Sequence, residues 1–225
     1  MIPAAGSGTR IAGSEPKQYR ALAGRPMLWH ALRAVCVPQV QSVFVVLAAN
    51  DAQFKSHDWS AFGERLSPLY CGGATRRESV YNGLVALGGM VDPDDWMLVH
   101  DAARPCLPSA DLANLIRECE QDEIGGILAL PVADTVKNAA KDEAGAQRIA
   151  GTQDRSQLWL AQTPQMFRAG LLTQALAGCP DATDESSAVE RKGLRPRLVA
   201  GSRENLKVTY PEDLAIAEAI LTRRK

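Results

Sequence analysis

The 225-residue chain predicts an α/β domain with a mainly parallel sheet, on three observations. Strand-like runs alternate with helix-like runs, the order expected of strand–helix–strand units. The strand runs are continuous and rich in β-branched residues, as strands covered on both faces are. Glycine-rich or acidic turns follow those strands directly, at the edge where open sheets of this class bind ligands.

In chain order, Ile2-Pro3-Ala4 leaves a very short first strand, where a central strand needs about five residues. It is either a stub or the end of a strand that begins upstream. Leu28, Ala31, Leu32 and Val35 then recur at helical spacing. Ser42 to Leu47 reads as a buried strand, and Leu69-Tyr70-Cys71 as a short one. Val80, Leu84 and Leu87 predict a helix, Trp96 to His100 a strand, Leu112, Leu115, Ile116 and Cys119 a helix, and Gly126 to Leu130 a strand. Residues 133–158 are polar and rich in Ala and Gly without a sustained period. A structureless insert of that length is uncommon within a compact domain, so the segment reads as a functional hairpin reaching out of the body. Thr209 and Glu212 form a capping-box pattern before a last helix carrying Leu214, Ala217 and Leu221. That helix closes on Arg223, Arg224 and Lys225, cations where the helix dipole favours them. The length suits one domain over residues 1–225.

Composition removes several function classes. A net charge of −1 provides no global basic field for nucleic acid, so any bound anion must be held by local cations. The five cysteines are scattered without a C-x-x-C pair, which argues against a disulfide framework or a structural zinc site. No signal-like start and no apolar run near ~20 residues is present. These features predict a cytoplasmic protein with neither nucleic acid nor membrane as partner.

Three turns carry chemistry. In Pro3-Ala4-Ala5-Gly6-Ser7-Gly8-Thr9-Arg10, small residues let backbone N–H groups approach phosphates. The pattern is neither a P-loop nor a dinucleotide fingerprint. Arg10 and Lys17 could converge on a polyphosphate, one as a fork and one as a point charge. Gly72-Gly73 could let a flat base lie against the backbone, with Ser79 reaching the base edge. Asp101, at the end of a buried strand, could hold Mg²⁺ together with substrate phosphates, or pair with Arg104. His30, His57 and His100 form no metal or triad set, and no G-x-S-x-G elbow occurs.

Spread in order over essentially the whole chain, PAAGSGTR, PKQY, GGATRRESV, LVHDAARP, PVADTVK, DRSQLWLAQTPQMF, TDESSAVE and NLKVTYPEDL resemble the motifs of the 2-C-methyl-D-erythritol 4-phosphate cytidylyltransferase family. That family works in non-mevalonate isoprenoid biosynthesis. The resemblance implies a Rossmann-like nucleotidyltransferase fold, its sheet flanked by helices, with an extended β-arm at 133–158 that crosses to the neighbour in a homodimer. It implies transfer of CMP from CTP to the polyol phosphate, with Mg²⁺ or another divalent cation and release of pyrophosphate. Ala4, Ala5, Gly6, Gly73 and Ser79 would surround cytosine and ribose, with Asp101 and Ala102 near the ribose and metal. Arg10 and Lys17 would stabilise charge at the α-phosphate. Arg155 and Lys207 would position the acceptor, assisted by Thr135, Thr163 and Thr183. Thr9 and Ala74 depart from residues that many or some relatives carry. Ribitol 5-phosphate cytidylyltransferases share the fold and many motifs, although the Asp154-Arg155 and Thr163-Pro164-Gln165 contexts favour methylerythritol phosphate. A non-catalytic nucleotide-binding module is the other alternative, and it would have no need of transition-state cations such as Arg10 and Lys17.

Overall fold

A computed structural model describes residues 1–6 and 15–224. Along the chain these form β1 (Ile2–Pro3), β2 (Ala21–Leu22), β3 (Arg25–Pro26), α1 (Met27–Val35), β4 (Val43–Val46), β5 (Leu66–Leu69), α2 (Arg76–Ala86), β6 (Trp96–Val99) and α3 (Ser109–Glu120). There follow β7 (Gly125–Pro131), β8 (Val136–Lys141), β9 (Gln147–Gln153), β10 (Trp159–Arg168), α4 (Ala169–Ala177), α5 (Glu185–Glu190), β11 (Arg197–Ala200) and α6 (Pro211–Arg223).

The two-residue β1 is central despite its length. It pairs in parallel with β4, Ile2 opposite Val45. On its other side the Met1 amino group donates to the Leu98 carbonyl at 2.6 Å, and His100 N–H donates to the Met1 carbonyl at 3.0 Å. These bonds join a three-stranded and a four-stranded ladder into the succession β5-β4-β1-β6-β10-β7-β11. Within it β10 runs against its neighbours β6 and β7, while β7 and β11 are parallel.

Side-chain alternation along the strands sends residues to opposite faces. Val43, Val45 and Met166 pack with Leu28, Leu32, Leu112 and Leu115, so α1 and α3 cover one face. Val46, Met97 and Phe167 pack with Val80, Leu84, Leu172, Leu176 and Val189, so α2, α4 and α5 cover the other. A smaller cluster of Leu22, Met27, Cys106, Val208 and Ala217 seats α6 beside the site.

The predicted α/β sheet, its flanking helices and the hairpin within 133–158 are present, with two local differences. The short strand expected at 69–71 lies at Leu66–Leu69, an edge strand that tolerates Pro68 because one side needs no partner. The last helix is not capped by the Thr209–Glu212 pair. Pro211 occupies its first turn, and the Asp213 carboxylate accepts from Thr209 N–H at 2.7 Å and Tyr210 N–H at 2.8 Å. The polar insert is a hairpin of β8 and β9, turned by Asp142, which accepts from Ala144 and Ala146 N–H. Ile149 on this hairpin is 70% exposed. Among the described residues no helix is long and apolar enough to cross a membrane.

Candidate active site

A cleft opens where the strand succession reverses. From β1 the chain moves out to β4 and β5, then returns to β6 on the opposite side of β1. Ligands of open α/β sheets bind at such switch points, beyond the strands' carboxyl ends. A cavity of about 410 Å³ lies there, and its walls include Ala4, Ala5 and Gly6 after β1, Gly73 and Ser79 around the start of α2, Asp101 and Ala102 after β6, and Lys17 and Lys207.

The backbone wall depends on close approach. A Cβ on Gly72 would collide with the Ala5 side chain and the Leu47 carbonyl, and one on Gly73 with Glu78. Glycine therefore lets the turns after β1 and β5 touch. The turn then enters α2 through a capping box: Thr75 Oγ1 accepts from Glu78 N–H at 3.1 Å, and Glu78 accepts from Ala74 N–H at 2.8 Å. Ser79 accepts from Gly73 N–H at 3.1 Å and donates to the Thr75 carbonyl at 2.9 Å. Its hydroxyl thus holds the glycine turn, and its second lone pair is left to accept from a donor on a base edge.

Lys17 stands on a single 3₁₀ turn, Lys17–Tyr19, whose other side chains anchor it. Gln18 Nε2 donates to the Ala4 carbonyl at 2.8 Å, and Tyr19 Oη to Asp51 Oδ2 at 2.7 Å. Lys17 Nζ donates to the Val208 carbonyl at 2.6 Å, joining this turn to the segment bearing Lys207.

Asp101 organises the charges. It is 6% exposed; Oδ1 accepts from Arg76 Nε at 2.7 Å, Oδ2 pairs with Lys207 Nζ at 2.7 Å, and Arg104 Nε lies 3.9 Å from Oδ2. Burial alone would raise its pKa, but Arg76 and Lys207 hold it well below the usual carboxylate range. Arg76 continues to Glu185 with paired bonds of 2.7 and 2.9 Å. Burial opposes the Arg76 charge, yet Glu185 and Asp101 raise its pKa above that of an ordinary guanidinium.

The expectation that Asp101 holds Mg²⁺ together with substrate phosphates meets a carboxylate already paired with Arg76 and Lys207. Both of its oxygens face cations, and the described residues include no group of three or more His, Cys, Asp or Glu able to hold a metal. The donor set does not fit a metal site built by the chain alone.

Thr163, expected to assist the acceptor, here braces the Asp101 loop. It is 5% exposed and does not line the cavity. A register shift in β10 between Ala161 and Gln165 turns it toward the β6 loop. Asp101 N–H donates to Thr163 Oγ1 at 2.9 Å, and that hydroxyl lies 3.0 Å from His100 Nδ1. His100 Nε2 lies 3.0 Å from the Arg104 carbonyl. Because a carbonyl only accepts, Nε2 carries the proton and Nδ1 receives the Thr163 hydroxyl. Asn205 Nδ2 donates to the Thr163 carbonyl at 2.8 Å and Arg104 to the Asn205 carbonyl at 2.6 Å, tying the Lys207 segment to the same support.

The remaining expected residues are not gathered into this cavity. Thr135, Arg155 and Thr183 are exposed and do not line it, and Arg10 lies outside the described residues. Sequence reasoning missed Arg76 and Glu185 as linked parts of the site. The available signal was positional: Arg76 directly follows the helix-capping Thr75, and Glu185 follows Asp184, which caps α5.

A family model described as IspD, 2-C-methyl-D-erythritol 4-phosphate cytidylyltransferase, matches residues 1–223. A protein of that name from Aromatoleum aromaticum is 53% identical over 225 residues, covering 100% of this chain and 95% of the relative. One from Dechloromonas aromatica is 53% identical over 226 residues, covering 100% and 97%. Among solved structures, a 4-diphosphocytidyl-2C-methyl-D-erythritol synthase superposes with a TM-score of 0.84 at 42% identity, covering 98% of this chain and 96% of its own. The Francisella tularensis 2-C-methyl-D-erythritol 4-phosphate cytidylyltransferase gives 0.80 at 34% identity, with 97% of each chain covered.

The buried His100 sets a pH dependence of stability. Burial depresses its pKa from 6.5 to about 4, against the opposing pull of Asp101. The unfolded chain therefore takes up this proton first as pH falls. Its contribution is complete above about pH 6.5 and is lost progressively toward pH 4, at up to ~1.4 kcal/mol per pH unit. Urea unfolding across that window should show a steeper decline for the parent chain than for His100→Gln; equal slopes would remove His100 as the cause.

Proposed function

The chain belongs to the 2-C-methyl-D-erythritol 4-phosphate cytidylyltransferase family and transfers CMP from CTP to 2-C-methyl-D-erythritol 4-phosphate, and we propose how its residues divide that work. Cytosine and ribose lie against the backbone of Ala4, Ala5, Gly6 and Gly73, with Ala102 bordering the ribose. The nucleotide's phosphates face Lys17 on the cavity wall, and Arg10 acts with it on them. The acceptor's phosphate is held by Lys207.

The acceptor is a phosphate monoester and is already anionic near neutral pH. One of its oxygens attacks the α-phosphorus of CTP in line, a new P–O bond forms, and the bond to pyrophosphate breaks with its electron pair leaving on pyrophosphate. No proton has to be removed from the nucleophile. The work left for the protein is alignment and charge stabilisation. Arg10 and Lys17 stabilise charge that grows on the α-phosphate. Mg²⁺ or another divalent cation, carried chiefly by the nucleotide's own phosphates, would neutralise part of that charge.

Thr135 and Arg155 flank the exposed hairpin strands rather than the cavity. In a homodimer the hairpin would carry them to the neighbour's cleft, with Thr183 beside the acceptor. The exposed Ile149, Trp159 and Leu160 would find cover there. A reducing compartment such as the cytoplasm suits the five free cysteines.

The observation that carries this division is the meeting of Lys17 and Lys207 on one cavity at the switch point. Lys17→Ala should lower kcat by roughly 10²–10³, the cost of losing one preorganised donor to a developing oxyanion. Lys207→Ser should raise the KM for the acceptor more than that for CTP. Steady-state kinetics on folded variants decides both: unchanged turnover removes Lys17 from catalysis, and equal KM changes remove Lys207 from acceptor binding. For the shared site, Lys17→Ala and Arg155→Ala subunits should regain activity when mixed and allowed to exchange. A mixture no more active than its parts would confine each site to one chain.

A further inference from the structure

Glu185 is completely buried, yet both oxygens of its side chain accept from Arg76, a cleft residue on another helix. A carboxylate without access to water is costly unless it is paired and hydrogen-bonded. Arg76 supplies that pairing with two nitrogens and uses its third, Nε, on Asp101. Asp101 in turn holds Lys207, whose side chain is 45% exposed at the cavity. The four side chains alternate in sign from the interior outward: Glu185, Arg76, Asp101, Lys207.

We propose that Glu185 and Arg76 are positioning residues that fix Asp101 and, through it, set the place of the Lys207 ammonium on the cleft wall. The planar fork of Arg76 makes this possible, because a guanidinium serves two carboxylates at fixed angles. The anchors are rigid: Arg76 is the first residue of α2 behind its capping box, and Glu185 opens α5 behind the Asp184 cap. Asp101 is further held through its N–H by Thr163. Lys207, on an irregular segment, has no helix or strand of its own to place it.

Removing Glu185 leaves the Arg76 fork without its inner partner, and the released nitrogens compete with Lys207 for Asp101. Lys207 then loses its fixed position, although its charge remains. The effect of Glu185 on catalysis must therefore pass through Lys207. This inference rests on Lys207 serving the acceptor, and the test separates the two ideas.

A double-mutant cycle between Glu185→Gln and Lys207→Ser reads the coupling directly. Glu185→Gln alone should raise the acceptor KM about tenfold, the scale of one weakened charge-assisted hydrogen bond. In the Lys207→Ser background the same change should have almost no effect. Equal effects in both backgrounds overturn the proposal, because a general structural defect does not depend on Lys207. If Lys207→Ser instead alters kcat or the CTP KM, the acceptor assignment fails, and the coupling is read in that parameter with the same two outcomes. Arg76→Lys provides the cycle if Glu185→Gln does not fold; its single ammonium cannot replace the fork, so it should show the same loss and the same dependence on Lys207. Full activity in Arg76→Lys also overturns the proposal.

Discussion

A carboxylate almost sealed from water has to be neutralised by its neighbours, and Asp101 meets that requirement with cations from separate parts of the chain. Arg76 comes from the start of α2, Lys207 from the segment after β11, and Arg104 from the same loop. Satisfying one buried charge thus draws three stretches of sequence to the carboxyl ends of β1 and β6. The cleft exists at that place because the sheet reverses direction there.

The same constraint explains how a chain of net charge −1 holds two phosphorylated substrates. Lys17, Arg76, Arg104 and Lys207 converge where Asp101 and Glu185 are the facing carboxylates, so the local balance is positive while the total is not. Each cation is restrained: Lys17 by the Val208 carbonyl, Arg76 by Glu185, Arg104 by the Asn205 carbonyl, Lys207 by Asp101. Preorganised charge of this kind needs little rearrangement when the transition state forms. The neutral His100 and the Thr163 hydroxyl supply the rigid support under the Asp101 loop.

What the sequence revealed follows from what each feature requires. The glycine turn at 72–73 was legible because close backbone approach admits hardly any other residue. The helices α1 and α3 were legible because each presents an apolar stripe to one face of the sheet. β10 was not, because Gln162, Thr163 and Gln165 are buried in it for their hydrogen bonds and interrupt any apolar pattern. The cap of α6 was misplaced because Pro211 shifts the helix start by one residue, giving Asp213 the role assigned to Glu212. The link from Arg76 to Glu185 spans 109 positions, and no local spacing signals a contact at that range.

On the proposed reading, Asp101 holds Lys207 where the acceptor's phosphate lies. A crystal structure of the protein with a non-hydrolysable CTP analogue and 2-C-methyl-D-erythritol 4-phosphate tests it most directly. The expected result is Lys207 Nζ bound to both Asp101 and the acceptor phosphate, with that phosphate facing the α-phosphorus. An acceptor phosphate seated elsewhere, with Lys207 turned away from the cleft, would contradict it.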